Sequence, residues 1–353
     1  MSQQGAHYTE LPVRNEAAVL HGVGDLRIEE RPVPKPGERE VLVEVRSVGI
    51  CGSDVHYYEH GRIGDFVVKA PLVLGHESSG VIVALGPSVQ KHHLGERVAL
   101  EPGVPCGVCR ECRTGRYNLC RDIAFFATPP VDGALARYVV IHQDFAFELP
   151  DDVSDDAGAL MEPLSVGIWA CSKGQVGVGS RVAVAGAGPI GAVVTLVARA
   201  AGAAEVVVSD PVAARRERIR TLGATGVIDP AVSSLAEAFE DFDVFFDCSG
   251  HAAAVQDGIK ALRPAGIAVL IGMCPESEVP MPLARIQNRE VWVTGTFRYA
   301  HTYPKAIGLV ASKAIDLGSL VDARFSLAAS EDALLAARRD PSVLKPLVAV
   351  STA

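Results

Sequence analysis

The chain has no block of lysine or arginine, and its formal net charge over 353 residues is −9. Phosphate binding wants a basic face, so nucleic acid is disfavoured as a partner. It also lacks a long apolar run: the longest stretches are broken by Gly, Asp or Arg well short of the roughly 20 residues a membrane span requires. The expectation is a soluble protein. The opening Met1-Ser-Gln-Gln-Gly-Ala-His-Tyr8 has no charged start leading into an apolar segment, the pattern that directs secretion, which points to a reduced, cytoplasmic setting. There is neither an internal repeat nor a low-complexity tract, and the Ala-rich segments are helix formers. The length and ordinary composition leave room for about two domains with cores of their own.

What is present begins with cysteine. Four of the eight lie at Cys106-Gly-Val-Cys109-Arg-Glu-Cys112 and Cys120, with two, two and seven residues between them. Four thiolates around one zinc make a closed tetrahedral site of structural type. The rivals are a pair of disulfides, which need an oxidising compartment, and an iron–sulfur cluster, since thiol spacing alone does not choose the metal. Zinc leads because of a second group. Cys51-Gly-Ser-Asp-Val-His56 is followed by Gly75-His76-Glu77, which offers a thiolate, an imidazole and a carboxylate at loop-like positions. That ligand set suits zinc and leaves room for a substrate oxygen. Taken singly, each residue reads as a small core thiol or a hydrogen-bonded interior histidine; together they outline a catalytic site. Cys171, Cys248 and Cys274 lie in apolar surroundings and read as packed thiols.

Two textures divide the chain. From Glu16 to about Pro150, short Val-rich runs punctuated by Gly and Pro indicate compact, mostly antiparallel β structure. After Asp151, apolar runs alternate with helical segments. Candidate strands are Arg181 to Ala185, Glu205 to Ser209, Gly226 to Ile228, Asp243 to Asp247, Ala268 to Ile271 and Val291 to Val293. Alternation of this kind implies an α/β unit with a doubly wound parallel sheet. Its first turn is Gly186-Ala-Gly188-Pro189-Ile190-Gly191, placed after a strand and opening a helix, as pyrophosphate binding requires. Asp210, 19 residues past Gly191, would bond the ribose hydroxyls of NAD and repel the 2′-phosphate of NADP. Arg215 and Arg216 follow closely, and an arginine there can accommodate that phosphate or form a solvated helix face.

An open zinc site and a nicotinamide site in one chain imply alcohol chemistry. The metal lowers the pKa of an alcohol oxygen and stabilises the alkoxide from which hydride leaves for the nicotinamide. Ser53 and His56 carry a hydroxyl and an imidazole suited to relaying the released proton.

The ordered motifs Cys51-Gly-Ser-Asp-Val-His56-Tyr57, Gly61-Arg-Ile-Gly64, Gly75-His-Glu77, Gly115-Arg-Tyr-Asn118, Ala127-Thr-Pro-Pro130, Glu162-Pro-Leu-Ser-Val-Gly167, Gly186-Ala-Gly-Pro-Ile-Gly191 and Phe297-Arg-Tyr299 resemble the zinc-containing medium-chain alcohol dehydrogenases. Within them the chain is most similar to sorbitol and other polyol dehydrogenases. The resemblance implies a GroES-like catalytic domain over residues 1–163, a Rossmann NAD-binding domain over 164–301, and a return to the catalytic domain over 302–353, with the active site in the cleft between them. It places Cys51, His76 and Glu77 at the catalytic zinc together with water. Glu162 stands beside the metal, where it holds that water or exchanges into the shell. Either glutamate could be the direct ligand. Ethanol-oxidising relatives carry cysteine in place of Glu162, and carboxylates make the metal harder and more negative. Tyr57, Phe125, Thr128, Arg298 and Tyr299 align with polyol-pocket residues, consistent with a many-hydroxyl substrate needing many donors and acceptors. Two zincs per subunit, NAD and a homotetramer are implied. Animal sorbitol dehydrogenases lack the full four-cysteine lobe, whereas many microbial relatives keep it, and the microbial branches include xylitol, L-arabinitol, galactitol and aminocyclitol dehydrogenases with much of the same pattern. The expected reaction is oxidation of a polyol's secondary hydroxyl to a ketose; the alternatives are a cyclitol, a threonine-like or another secondary alcohol, and, in a different class, a non-catalytic zinc and nucleotide sensor.

Overall fold

The computed structural model describes residues 13–274 and 278–351. The chain opening, on which the expectation of no leader rests, lies outside them. Contacts divide the chain into two compact units: residues up to Glu162 together with Tyr303 onward, and Pro163–Thr302.

The first unit is built on a seven-stranded sheet whose central strand, Glu40–Gly49, runs VLVEV and buries Val41, Leu42, Val43 and Val45. Glu77–Leu85 flanks it antiparallel on one side, and Lys345–Ala349, from the far end of the chain, flanks it antiparallel on the other. Gly49 is therefore opposite Glu77 in one neighbour and Leu347 in the other. A parallel pair, Val321–Ser326 with Lys345–Ala349, departs from the otherwise antiparallel pattern. One core cluster joins Val43, Val45 and Val48 of this sheet to Ala17, Val19 and Leu20 of a smaller three-stranded sheet.

The second unit is a six-stranded parallel sheet in the order third, second, first, fourth, fifth, sixth. That order is the dinucleotide-binding arrangement. The first three strands lie where the apolar runs indicate. The fourth begins at Phe242, the fifth extends over Leu262–Leu270, and the sixth is Trp292–Gly295. The fifth starts earlier than the sequence pattern shows: Leu262 pairs with Phe242 and Ile267 with Val244, and Arg263-Pro264-Ala265-Gly266, which reads as a turn, bulges between them with Ala265 in the left-handed region at φ 57°. Cys171 is buried with its thiol toward the Val194 carbonyl, whereas Cys248 and Cys274 are only partly buried. Among the described residues no helix is long and apolar enough to cross a membrane.

Candidate functional site

Cys51 is the N-cap of the helix Gly52–His60, which Gly61 ends in the left-handed region. Asp54, fully buried in the first turn of this helix, carries the local architecture. One of its oxygens accepts from the Cys51 amide at 3.0 Å, the other from the Gly75 amide at 2.9 Å, and His76 Nδ1 lies 3.7 Å away. A single carboxylate thus ties the cysteine loop to the histidine loop, the kind of outer partner that orients a metal-binding imidazole. The ligand atoms of Cys51, His76 and Glu77 all lie within 4.8 Å of one another. His76 and Glu77 are buried, and Glu77 is the first residue of its strand rather than a loop residue. Burial by itself would push the His76 imidazole down, but the Asp54 and Cys51 charges outweigh it and hold the ring well above its usual value. The ring is accordingly a strong base for a proton or a metal, which compete for it. Sulfur, nitrogen and oxygen donors converging behind a wall of buried groups fit zinc.

Glu77 has another partner that no sequence pattern announces. Lys345 Nζ donates to its two carboxylate oxygens at 2.7 and 2.6 Å and to the Ile50 carbonyl at 2.9 Å, with both side chains almost fully buried. Burial would depress this ammonium; the Glu77 and Cys51 charges hold it above its ordinary value, and the Glu162 charge adds to them. Gly49 permits the pairing, since a Cβ there would collide with the Glu77 carboxylate. Glu162 is buried in the first turn of the helix Met161–Lys173, outside the three-atom convergence. Its charge also bears on Glu101, a buried carboxylate that accepts from the Tyr117 hydroxyl at 2.6 Å. Burial pushes Glu101 up to about 7, partly offset by that hydrogen bond. Asp54 could have been found from its capping-box position; Lys345 and Glu101 had no local signal.

The four remaining ligand cysteines lie on a short irregular lobe. Their sulfurs are 3.4 Å (Cys109 and Cys112), 3.5 Å (Cys106 and Cys120) and 4.0 Å (Cys106 and Cys112) apart. These separations bracket the edge, about 3.8 Å, of a sulfur tetrahedron with metal–sulfur bonds of about 2.3 Å. All four are free thiols, so the disulfide alternative is not what the structure holds. The Val108 and Cys109 amides donate to Cys106 and lower its thiol to about 7, which prepares it to bind metal as thiolate.

Other expected residues lie on both units. Ser53, His56 and Tyr57 share the helix that Cys51 caps; Tyr57 is buried and His56 exposed, with its ring centroid 5.7 Å from that of His60. Phe125 is buried, its ring 5.7 Å from that of His76, and the half-buried Thr128 donates its amide to the Phe125 carbonyl. In the second unit Tyr299 is buried, and Arg298 holds the left-handed backbone at φ 55° with its guanidinium over the Phe297 ring.

The glycine turn follows the strand Arg181–Ala185 and leads into the helix Pro189–Ala200. Gly186 has φ 98°, and a Cβ at Gly191 would strike the Gly186 carbonyl, so helix and strand pack only with glycine. Gly188, the N-cap, faces open space where a Cβ would project. Such a cradle fits a pyrophosphate at the helix N-terminus, with Pro189 and Ile190 opening the helix. Asp210 follows the second strand and is buried; it accepts from the Ala187 and Val212 amides, each at 2.8 Å. Lone pairs remain on both oxygens for ribose hydroxyls.

Comparison with known proteins agrees with this geometry. The alcohol dehydrogenase GroES-like domain matches residues 37–151, and the zinc-binding dehydrogenase domain matches residues 189–312. Sorbitol dehydrogenase from Rattus norvegicus is 46% identical over 333 residues, covering 92% of this chain and 93% of its own. Among solved structures, an oxidoreductase/dehydrogenase of unknown specificity from Escherichia coli is similar at a TM-score of 0.91 and 34% identity, covering 96% of this chain and 100% of that one. A protein from Sinorhizobium meliloti 1021, classed with the zinc-binding dehydrogenases and solved with NADP, is similar at a TM-score of 0.88 and 32% identity, covering 96% and 99%.

Proposed function

Since the chain belongs to the zinc-containing medium-chain alcohol dehydrogenase family, we propose that it is a zinc-dependent, NAD-linked polyol dehydrogenase that oxidises a secondary hydroxyl of a sorbitol- or xylitol-type substrate to a ketose. The convergence of Cys51, His76 and Glu77, in a chain that also carries the dinucleotide cradle, is the observation on which this reading rests. When bound, zinc supplies a Lewis acid and NAD a hydride acceptor. Cys51, His76 and Glu77 hold the metal with Glu162 beside it, and Asp54 keeps the imidazole oriented. Lys345 offsets the negative charge that a thiolate and two carboxylates bring together. The proton leaving the substrate passes through Ser53 to His56, whose exposure supports exchange with solvent. Tyr57, Phe125, Thr128, Arg298 and Tyr299 recognise the polyol, while Gly186 to Gly191, Asp210 and Arg215 hold the nucleotide.

A second zinc, held by Cys106, Cys109, Cys112 and Cys120, is structural. Residues 1–163 and 302–353 form the catalytic domain and 164–301 the nucleotide domain, a reading supported by the division of contacts after Glu162 and after Thr302. The eight free cysteines support a cytoplasmic setting. The protein works as a homotetramer. The exposed edge strand Trp292–Gly295, where Trp292 is 71% and nearby Phe297 47% exposed, supports one pairwise interface of such an assembly, since the edge invites pairing with a second copy.

Initial rates with NAD and NADP on metal-analysed protein, across sorbitol, xylitol, ribitol, galactitol, L-arabinitol, myo-inositol, threonine and 2-propanol, test the proposal. Preference for one open-chain polyol with NAD is expected. Activity on a cyclitol or simple alcohol alone would overturn the pocket assignment, and silence with two zincs bound would favour a nucleotide sensor.

A further inference from the structure

A cation is anchored behind the carboxylate that faces the ribose. Arg216 Nη1 donates to the Asp210 carbonyl oxygen at 2.7 Å, and Nη2 pairs with Asp229 Oδ2 at 2.8 Å. The two side chains are 16% and 30% exposed, so the pair is held against the protein and not loose in solvent. Its geometry comes from the sheet. Asp229 follows the strand Gly226–Ile228, which pairs with Glu205–Ser209 in a register that sets Ile228 beside Ser209. The Asp210 amide donates to the Ile228 carbonyl, which brings the two aspartates to adjacent strand ends. Arg216, from the helix Ala213–Thr221, bridges them.

An arginine near this acid is the group with which dinucleotide folds accommodate a 2′-phosphate. Here the Arg216 charge is already committed to Asp229, whose other oxygen accepts from the Ala231 amide. We propose that Asp229 is a positioning residue for nucleotide choice: it pins and neutralises Arg216 and so denies the 2′-phosphate of NADP that counter-ion. Selection of NAD then belongs to the Asp210, Arg216 and Asp229 chain and not to Asp210 alone. This deepens the NAD-linked reading above and rests on it.

Equilibrium binding of NAD and NADP to full-length, zinc-loaded protein without substrate, at one ionic strength, tests the idea. For Asp229→Asn, NADP should bind on the order of tenfold tighter, the worth of one charged hydrogen bond, while NAD affinity changes by less than about twofold. Asp229→Glu should keep the parent ratio, and Arg216→Ala combined with Asp229→Asn should lose the gain. Arg216→Ala alone leaves the Asp229 carboxylate uncompensated and should weaken NADP relative to NAD, which keeps the test sound if Asp229→Asn does not fold. An unchanged ratio in Asp229→Asn, a gain that survives without Arg216, or a rise in NADP affinity in Arg216→Ala alone would overturn the proposal. Parent protein that binds neither dinucleotide would overturn the NAD-linked reading instead.

Discussion

Lys345 and Glu101 show what single residues add to the metal site. Lys345 satisfies both oxygens of a carboxylate that is nearly sealed from water, so removing it strands a buried charge. In metal-free protein, where no zinc shares the Glu77 charge, Lys345→Met should cost about 3–5 kcal/mol, the usual consequence of breaking one side of a buried pair. Adding Glu77→Gln should recover part of that loss in a double-mutant cycle followed by denaturant unfolding. Glu101 works in the other direction. Its folded-state carboxyl titrates near 7 against an ordinary value of 4.5, so the folded protein holds this proton more tightly than the unfolded chain does. The cost of burying the charge is absent below about pH 4.5 and complete above about pH 7, and the parent protein loses stability between them. Glu101→Gln keeps an acceptor for Tyr117 without the charge. Its advantage over the parent should therefore grow with pH, by up to about 2–3 kcal/mol, as read from unfolding midpoints at pH 5 and pH 8.

At the scale of elements, local sequence was most informative where the chemistry is local. The four-cysteine lobe has two helical turns at most and buries little apolar surface, so a metal is what can hold it. Cys106→Ser should lose one zinc per subunit in metal analysis and lower the thermal midpoint; unchanged zinc content would remove the structural assignment. The lobe also reaches the body of its unit through the Tyr117 hydroxyl on Glu101, a link the cysteine spacing does not contain. The capping of Gly52–His60 by Cys51 and Asp54 was likewise written in four consecutive residues. So was the glycine turn, because a tight strand-to-helix turn makes steric demands on neighbours in sequence. The fifth strand was legible from Ala268 onward and only its earlier start was not, because Leu262 is held beside Phe242 by the neighbouring strand while Arg263 to Gly266 bulge out of the register.

For the molecule as a whole, the exposed edge strand of the six-stranded sheet carries the prediction on assembly. Trp292→Asp places a charge on that edge and should shift the proposed homotetramer to smaller species in light scattering, while the monomer keeps its fold. The sequence by itself was sufficient for the two fold types, the thiol groups, the His76 and Glu77 pair and the nucleotide turn, since each is encoded by spacing or alternation within a short window. Tertiary structure alone decided who stands behind these groups. Lys345 meets Glu77 across 268 positions because Glu40–Gly49 accepts one strand from the start of the chain and another from its end. Asp229 reaches Arg216 because the register of neighbouring parallel strands aligns their ends. Burial of charge is a property of packing, and only the packed chain determines which cation a buried carboxylate finds.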